Sequence, residues 1–163
     1  MPASKYEKYV VRKPAIIKAD YTEEVPKAEK IPLRNEVDTG PMIIFSKDFV
    51  NEANSIIEYG IVSGDMTIGD GSFVNPHQHD YEEIFLFLGT DPKDPRDLGA
   101  EVEFWIGGEK IVFTTSSSIY VPPGTVHFPQ TWRNVRRPVM TVVVMPSTVK
   151  KVLKAPGSRR KVK

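Results

Sequence analysis

The three histidines of the chain are the residues whose type and spacing could carry chemistry. His77 and His79 are separated by a single residue, and His127 lies far downstream. Imidazole is the commonest metal ligand of proteins, and an added carboxylate completes a site for a divalent transition metal. The histidine pattern therefore predicts one mononuclear metal site.

The spacing of His77, His79 and Glu83 determines which backbone conformations can bring these residues to one ion. Residues two apart in an extended strand share a face and lie roughly 6–7 Å apart at Cα, so His77 and His79 can converge on one ion. Glu83 lies too far along a straight strand, because the distance from His77 would be about 20 Å and ligands bind an ion at ~2 Å. Glu83 can therefore join the site only if the chain bends at Asp80-Tyr81.

His127 must come from a separate element. It follows Pro122-Pro123-Gly124, in which the prolines stiffen the chain and the glycine permits a tight turn. We expect this turn to bring His127 to the other two histidines at the mouth of a β-barrel.

Two segments resemble the sequence motifs of the cupin superfamily. Residues 77–89 contain His-x-His-x-x-x-Glu followed by Gly89, like the first cupin motif, and residues 122–127 contain Pro-x-Gly-x-x-His, like the second. The resemblance covers residues 55–146 and implies an all-β, double-stranded β-helix (jelly-roll) barrel. It also implies the metal ligands, which are His77, His79, Glu83 and His127.

The chain departs from the cupin pattern at several positions. Ser116 stands where the second motif usually begins with glycine, and Thr131 stands where an asparagine is expected after the last histidine. Arg133-Asn134 resembles the usual Arg-Asn element, displaced by an insertion. Gly89 comes early relative to Glu83. These departures leave the four ligand positions intact.

Short apolar segments separated by turn residues predict the strands of an antiparallel sandwich or barrel. The Gly107-Gly108 pair between two such segments is typical of a hairpin. Residues 47–56 could form a short turn of helix. The predicted strands are residues 8–11, 15–17, 41–45, 55–62, 73–79, 83–88, 101–106, 110–114, 118–121 and 139–145.

The chain divides into three parts, and the charge distribution marks the last of them. We expect an N-terminal arm with strands that pack on the barrel (residues 1–40), the barrel itself (residues 41–149) and a basic tail (residues 150–163). The tail holds seven Lys or Arg and no acid, whereas the rest carries 15 basic and 21 acidic side chains. Such a tail could bind nucleic acid, but no aromatic residue is interleaved, so a solvated terminus is favoured.

The composition excludes several classes of protein. Hydrophobic residues make up 40% of the 163 residues and charged residues 26%, the balance of a soluble globular domain. The absence of cysteine excludes disulfides, thiolate zinc sites and thiol nucleophiles. No apolar run reaches the ~20 residues of a membrane span, and the first residues lack the apolar core of a secretory signal. We therefore expect a cytoplasmic protein that binds neither membranes nor nucleic acid.

The implied ligand set leaves two positions open on a six-coordinate ion, where water, dioxygen or a substrate oxygen can bind. The ion is Fe, Mn, Ni, Zn, Cu or Co, because nitrogen and oxygen donors suit all of them. We expect a metal-dependent enzyme acting on a small organic substrate as an oxygenase, isomerase or lyase. The alternative is a non-catalytic module that binds a metal or a small molecule. A sensor domain of a transcription regulator is less favoured, since no helix-turn-helix follows residue 146.

Three residues are weak candidates for catalytic roles. Glu82 could act as a base, Tyr81 could offer its hydroxyl to a substrate, and Arg133 could pair with a carboxylate. Each also has a simpler explanation. Glu82 could be a solvated carboxylate, Tyr81 could cap the turn, and Arg133 could be a solvated arginine at a strand end. Five aromatic residues could line a cavity but are more typical of a core: Phe85, Phe87, Phe104, Tyr120 and Trp132.

Residues 83–88 are apolar on both faces of the predicted strand. One face should line the interior, and the other should pack against a partner subunit or the N-terminal arm. We expect a homodimer.

Overall fold

A computed structural model describes residues 5–12, 15–17, 42–47, 49–69 and 76–146. The predicted basic tail and residues 18–40 of the predicted arm lie outside this part of the chain. The described residues form ten strands and one 3-10 turn at Glu7–Tyr9. The strands are β1 (Ala15–Ile17), β2 (Met42–Phe45), β3 (Ile56–Val62), β4 (Met66–Ile68), β5 (Glu83–Gly89), β6 (Asp97–Ile106), β7 (Glu109–Thr115), β8 (Ser117–Val121), β9 (His127–Arg133) and β10 (Val139–Met145).

The strands pair into two antiparallel sheets. The larger sheet has the order β1-β2-β3-β10-β5-β8, and the smaller has the order β4-β9-β6-β7. The last eight strands thus form two four-stranded sets, each joining early and late strands, as in a jelly roll. β1 and β2 extend the larger sheet beside β3. The all-β jelly-roll prediction is confirmed.

Most of the predicted strands are present, with a few differences. The segment at residues 8–11 is not a strand, because the N–H groups of Tyr9 and Val10 bond back to Tyr6 and Glu7 and close 3-10 turns. Residues 47–56 form hydrogen-bonded turns without a helix in their described part. In the predicted strand at residues 73–79, the described residues 76–79 form only an isolated bridge. β4 and β9 were not predicted.

The core lies between the sheets and consists largely of alternate residues of the strands. Phe85, Phe87, Phe104 and Trp132 are all at most 1% exposed, so they belong to the core. Tyr120 differs, because its side chain lies on the outside and the residue is 53% exposed.

A bulge between β6 and β9 changes which side chains of β9 point inward. Phe104 pairs with Gln130, but Ile106 pairs with His127, so β9 has one residue more than β6 over this interval. Phe128 occupies the bulge with φ of 76°. An extra residue shifts the alternation by one, so that His127 and the even-numbered Gln130 and Trp132 are all buried.

The corner after β5 explains two of the departures in sequence. The N–H of Gly89 donates to Ser116 Oγ (2.8 Å), and that hydroxyl donates to the carbonyl of Pro95 (2.7 Å). Ser116 therefore uses its side chain to join two loops. A Cβ on Gly89 would lie 2.1 Å from the carbonyl oxygen of Asp97, so only glycine fits there.

Gly89→Ala is expected to destabilise the protein by about 2 kcal/mol or more, because backbone atoms must move to admit the methyl group. Gly64→Ala is the control, since a Cβ at Gly64 meets nothing within 4 Å. Urea unfolding of the two variants measures the difference. Equal free energies of unfolding would contradict the close approach of Asp97.

Candidate metal centre

A pair of backbone hydrogen bonds sets His77 beside His127. The N–H of His77 donates to the carbonyl of His127 (3.1 Å), and the N–H of His127 donates to the carbonyl of His77 (2.9 Å). This antiparallel bridge joins a loop residue to the first residue of β9. The two imidazole rings consequently lie 4.5 Å apart between centroids.

His79 lies in the loop before β5 and not on a strand shared with His77. Its carbonyl accepts the N–H of Gly124 (2.7 Å), which ties this loop to the turn before β9. The chain then bends at Asp80 and Tyr81, and β5 begins at Glu83. The bend that was required for Glu83 to approach the histidines is therefore present.

The turn before His127 also has the predicted character. The N–H of Thr125 donates to the carbonyl of Pro122 (3.2 Å), and Gly124 has φ of 75°. These features, with proline at position 123, correspond to a type II turn. The turn places the carbonyl of Thr125 3.0 Å from Nδ1 of His127.

The three imidazoles form a compact group that could hold a metal ion. One ring nitrogen from each of His77, His79 and His127 lies within 4.8 Å of the others. His79 and His127 are buried, and His77 is half-buried. Oε2 of Glu83 lies 2.9 Å from Nε2 of His79 and 2.9 Å from Nε2 of His127. Three chain segments thus meet at one carboxylate.

The carboxylate of Glu83 is held in its charged form. Its burial opposes ionisation, but the contacts with His127 and His79 outweigh that effect and bring the pKa of Glu83 below its ordinary value. A buried negative charge is stable only with a positive or hydrogen-bonding partner. Charge therefore favours a cation, or protonated imidazoles, next to Glu83.

The ring nitrogens are oriented as a metal would require. Nδ1 of His79 lies 2.6 Å from the carbonyl of Tyr81, and Nδ1 of His127 contacts the carbonyl of Thr125. A carbonyl only accepts, so both Nδ1 atoms donate, and Nε2 of each neutral ring keeps its lone pair. Metal-bound histidines commonly donate their other ring N–H in this way.

His127 gives the strongest sign that a cation suits this site. Its Nε2 is buried and has no aligned hydrogen-bond partner, although Oε2 of Glu83 is close. Lone pairs on Nε2 and on a carboxylate repel each other unless a positive group lies between them. The donor set of imidazole nitrogens and one carboxylate oxygen fits a divalent transition metal.

Aromatic rings close the barrel side of the site. Phe85, Phe104 and Phe128 form a triangle with centroid distances of 5.1, 5.9 and 6.2 Å. Phe128 lies 5.3 Å from the ring of His77 and 5.2 Å from that of His127. A ligand that reaches the histidines therefore cannot extend straight into the core.

Of the three weak catalytic candidates, only Tyr81 contacts a histidine of the site. Tyr81 stacks flat on His79, with centroids 3.9 Å apart and planes at 4°, so its ring holds the imidazole. Glu82 points elsewhere and accepts the hydroxyl of Tyr120 at 2.8 Å. The exposed Arg133 lies 4.0 Å from Glu103, on the outside of the smaller sheet.

Phe128 is the residue that sequence reasoning missed, and Gly69 makes its position possible. A Cβ on Gly69 would lie 2.5 Å from Cβ of Phe128. The Phe128 ring stacks on His77 with an interplanar angle of 25°. The available signal was an aromatic residue between the last histidine of the motif and Pro129.

Gly69→Ala is expected to displace Phe128 and to loosen His77, lowering the affinity for a divalent ion by about 10- to 100-fold, as loss of an outer support does in metal sites. Gly108→Ala is the matched control. Gly69 and Gly108 have φ of 86° and 84°, but a Cβ at Gly108 meets nothing within 4 Å. Calorimetric titration with Zn²⁺ makes the comparison. Equal affinities in both variants would refute a supporting role for Phe128.

Among the residues that the structure describes, no helix is long and apolar enough to cross a membrane. No family model and no curated protein matches the sequence.

Several solved structures resemble the fold. The match to the capsular polysaccharide assembling protein CapF from Staphylococcus aureus has 18% identity and a TM-score of 0.46, and covers 69% of this chain and 29% of CapF. A cupin-2 domain from Rhodospirillum rubrum matches with 10% identity and a TM-score of 0.45, over 74% of this chain and 70% of that one. KdgF from Halomonas sp. matches with 13% identity and a TM-score of 0.44, over 72% and 88%. The chain thus spans less than a third of CapF, and the fold assignment rests on its own strand order.

Proposed function

We propose that this chain of cupin fold binds one divalent transition metal and acts as a metal-dependent enzyme on a small organic molecule. The ligands in this proposal are His77, His79, Glu83 and His127. The reaction is of the oxygenase, isomerase or lyase type. The ion is Fe, Mn, Ni, Zn, Cu or Co, since the donor set suits each of them.

The single observation that supports the proposal best is the convergence of buried imidazole nitrogens on the buried carboxylate of Glu83. Two Nε2 atoms with their Nδ1 partners committed to backbone carbonyls lie 2.9 Å from the same carboxylate oxygen. The ring of His77 lies beside them through the backbone bridge to His127. A bound cation, like protonation of the imidazoles, makes this arrangement attractive, and the nitrogen and oxygen donors fit a divalent transition metal.

The protein's own residues then have defined tasks. A bound ion would supply Lewis acidity and open positions for a substrate oxygen. Tyr81 and Thr125 fix the ring orientation of His79 and His127 through their carbonyls. Phe85, Phe104 and Phe128 exclude water from the barrel side and direct a ligand toward the loops.

The second candidate is a non-catalytic module that binds a metal or a small molecule. It is favoured by the positions of Glu82 and Arg133, which lie away from the histidines and so provide neither a base nor an anion contact there. The two candidates differ in what happens to a bound molecule. An enzyme converts the bound molecule to a product, and a binding module releases it unchanged.

His77→Ala, His79→Ala and His127→Ala are each expected to lower the metal affinity by more than about 100-fold, because loss of a ligand costs more than loss of an outer support. Glu83→Gln should weaken binding too, whereas Glu82→Gln should not, since Glu82 contacts Tyr120. Elemental analysis of the purified variants measures metal content. A variant that retains the wild-type stoichiometry would remove that residue from the ligand set.

Open coordination positions can be tested without knowing the substrate. Protein loaded with Co²⁺ is expected to change its visible absorption spectrum on addition of azide, because azide occupies positions that the protein leaves free. Co²⁺-loaded Gly108→Ala protein should respond in the same way. An unchanged spectrum at saturating azide would show a closed, structural metal site.

A further inference from the structure

Three polar side chains in the interior of the sandwich each have a buried atom without a hydrogen-bond partner among the described residues. The residues are Gln130, Trp132 and Thr141, which are 4%, 1% and 6% exposed. The atoms are Oε1 of Gln130, Nε1 of Trp132 and Oγ1 of Thr141. Burying a polar atom without a partner costs free energy, so folded proteins do so rarely. Three such atoms in one interior indicate that a polar molecule belongs there.

The three side chains lie around Phe87. Thr141 pairs with Phe87 across β10 and β5, so the two side chains are neighbours on the inner face of the larger sheet. The indole of Trp132 lies 6.3 Å from the ring of Phe87 between centroids. Gln130 precedes Trp132 by two residues on the buried side of β9 and pairs with Phe104. The ring of Phe104 is in turn 6.2 Å from that of Phe87.

A glycine lies beside these side chains on β3. Gly60 pairs with Thr141 and takes an inner-face position of the strand, between the buried Glu58 and Val62. The pairing of β3 with β10 is continuous from Ile56 to Val62, so Gly60 does not mark a bulge. A glycine inside a regular strand often marks a place where a ligand approaches the backbone. The missing side chain leaves space next to Thr141.

The region around Phe87 lies one layer deeper in the barrel than the histidines. The ring of Phe85 is 6.0 Å from that of His127 between centroids, and Phe87, the next inward residue of β5, is 6.4 Å from Phe85. The triangle of Phe85, Phe104 and Phe128 closes the barrel side of the metal centre. A molecule held around Phe87 is therefore separate from the open positions of a bound ion.

We infer that the interior around Phe87 binds a neutral small molecule that carries hydroxyl groups. We call this place the interior site and define it by Gly60, Gln130, Trp132 and Thr141. The unsatisfied indole N–H only donates, the unsatisfied amide oxygen only accepts, and the threonine hydroxyl does both. The ligand must therefore both accept and donate hydrogen bonds, as an alcohol or a polyol does.

Charged ligands do not match the interior site. No lysine or arginine is buried among the residues that the structure describes, so a carboxylate or a phosphate would have no buried positive partner there. An ammonium group only donates and would leave the N–H of Trp132 unsatisfied. The rings of Phe87 and Phe104 suit the carbon skeleton of a small alcohol.

β4 gives a short route to the interior site. It is an edge strand of three residues, all of them only half-buried. Met66 pairs with Trp132, and Ile68 pairs with Gln130, so β4 lies directly beside the site. Local opening of such a strand breaks few hydrogen bonds and exposes little apolar surface.

The two tryptophans of the chain allow a binding test with an internal control. Glycerol is expected to shift the indole N–H resonance of Trp132 in a saturable manner, with a dissociation constant of about 1–10 mM for so small a ligand. The resonance of Trp105 should not move, since its Nε1 donates to Glu103 (3.4 Å) on the outside of the smaller sheet. NMR titration of the ¹⁵N-labelled full chain, loaded with Zn²⁺ and again after chelation, follows both resonances.

Glycerate serves as the charged counterpart of glycerol. After chelation it should leave the Trp132 resonance in place, because the interior site offers a carboxylate no cation. A Trp132 resonance that ignores glycerol, or that responds equally to glycerate, would overturn the inference. A response to glycerol that disappears on chelation would assign glycerol to the metal centre and would also overturn it.

Thr141→Val tests the interior site by replacing a hydroxyl with a methyl group of similar size. The variant is expected to bind glycerol about 3- to 10-fold more weakly, the effect of one lost hydrogen bond. It should resist urea at least as well as the wild type, because an unsatisfied hydroxyl has left the interior. Thr131→Val is the matched control, since the Thr131 hydroxyl lies 3.0 Å from that of Thr67. Its affinity for glycerol should equal that of the wild type.

The competing explanation is an ordered water only, because one buried water commonly bonds to about three polar groups. A water would stabilise the Thr141 hydroxyl, so Thr141→Val would then be less stable and glycerol would have no effect on Trp132. That pair of results, or equal glycerol affinities of Thr141→Val and Thr131→Val, would overturn the inference. The metal content of Thr141→Val is expected to match the wild type, so the interior site and the metal centre are tested independently.

Discussion

The candidate site depends on the two backbone hydrogen bonds between His77 and His127. These bonds join the loop before β5 to the first residue of β9. β5 and β9 belong to different sheets of the sandwich. A third bond, from Gly124 to His79, ties the same loop to the turn before β9. With the backbone fixed in this way, the imidazoles of two loop residues and of the first residue of β9 come together beside Glu83. The site is thus built by loop-to-strand bridging at one end of the barrel.

Much of the fold followed from local sequence patterns. β10 and β1 have the predicted bounds, because uninterrupted apolar or β-branched residues identify a strand without reference to its neighbours. The grouping of the three histidines was also expected, together with the bend at Asp80-Tyr81 that brings Glu83 to them. Such features depend on residues close in sequence or on a recognisable motif.

The parts that sequence reasoning missed depend on contacts between distant segments. β9 contains Pro129 and a bulge, so its alternation changes phase and the period of a strand is hidden. Phe128 could not be placed, because its position depends on the absence of a side chain at Gly69. His79 was expected on a strand, but its own carbonyl accepts the N–H of Gly124, and it belongs to no ladder. Pairing partners of this kind are not encoded in local spacing.

The bulge in β9 links the candidate metal site to the core, because it sets which side chains of the strand point inward at both places. Between residues 127 and 130 the strand changes phase once, so that a ligand position and the core positions of Gln130 and Trp132 share one side. Removing or adding one residue in this interval would invert the remaining pleat. The indole of Trp132 would then face water, and the hydroxyl and guanidinium of its neighbours Thr131 and Arg133 would face the hydrocarbon interior. An insertion or a deletion between residues 127 and 130 would therefore disrupt the core, whereas a substitution there leaves the alternation of β9 unchanged.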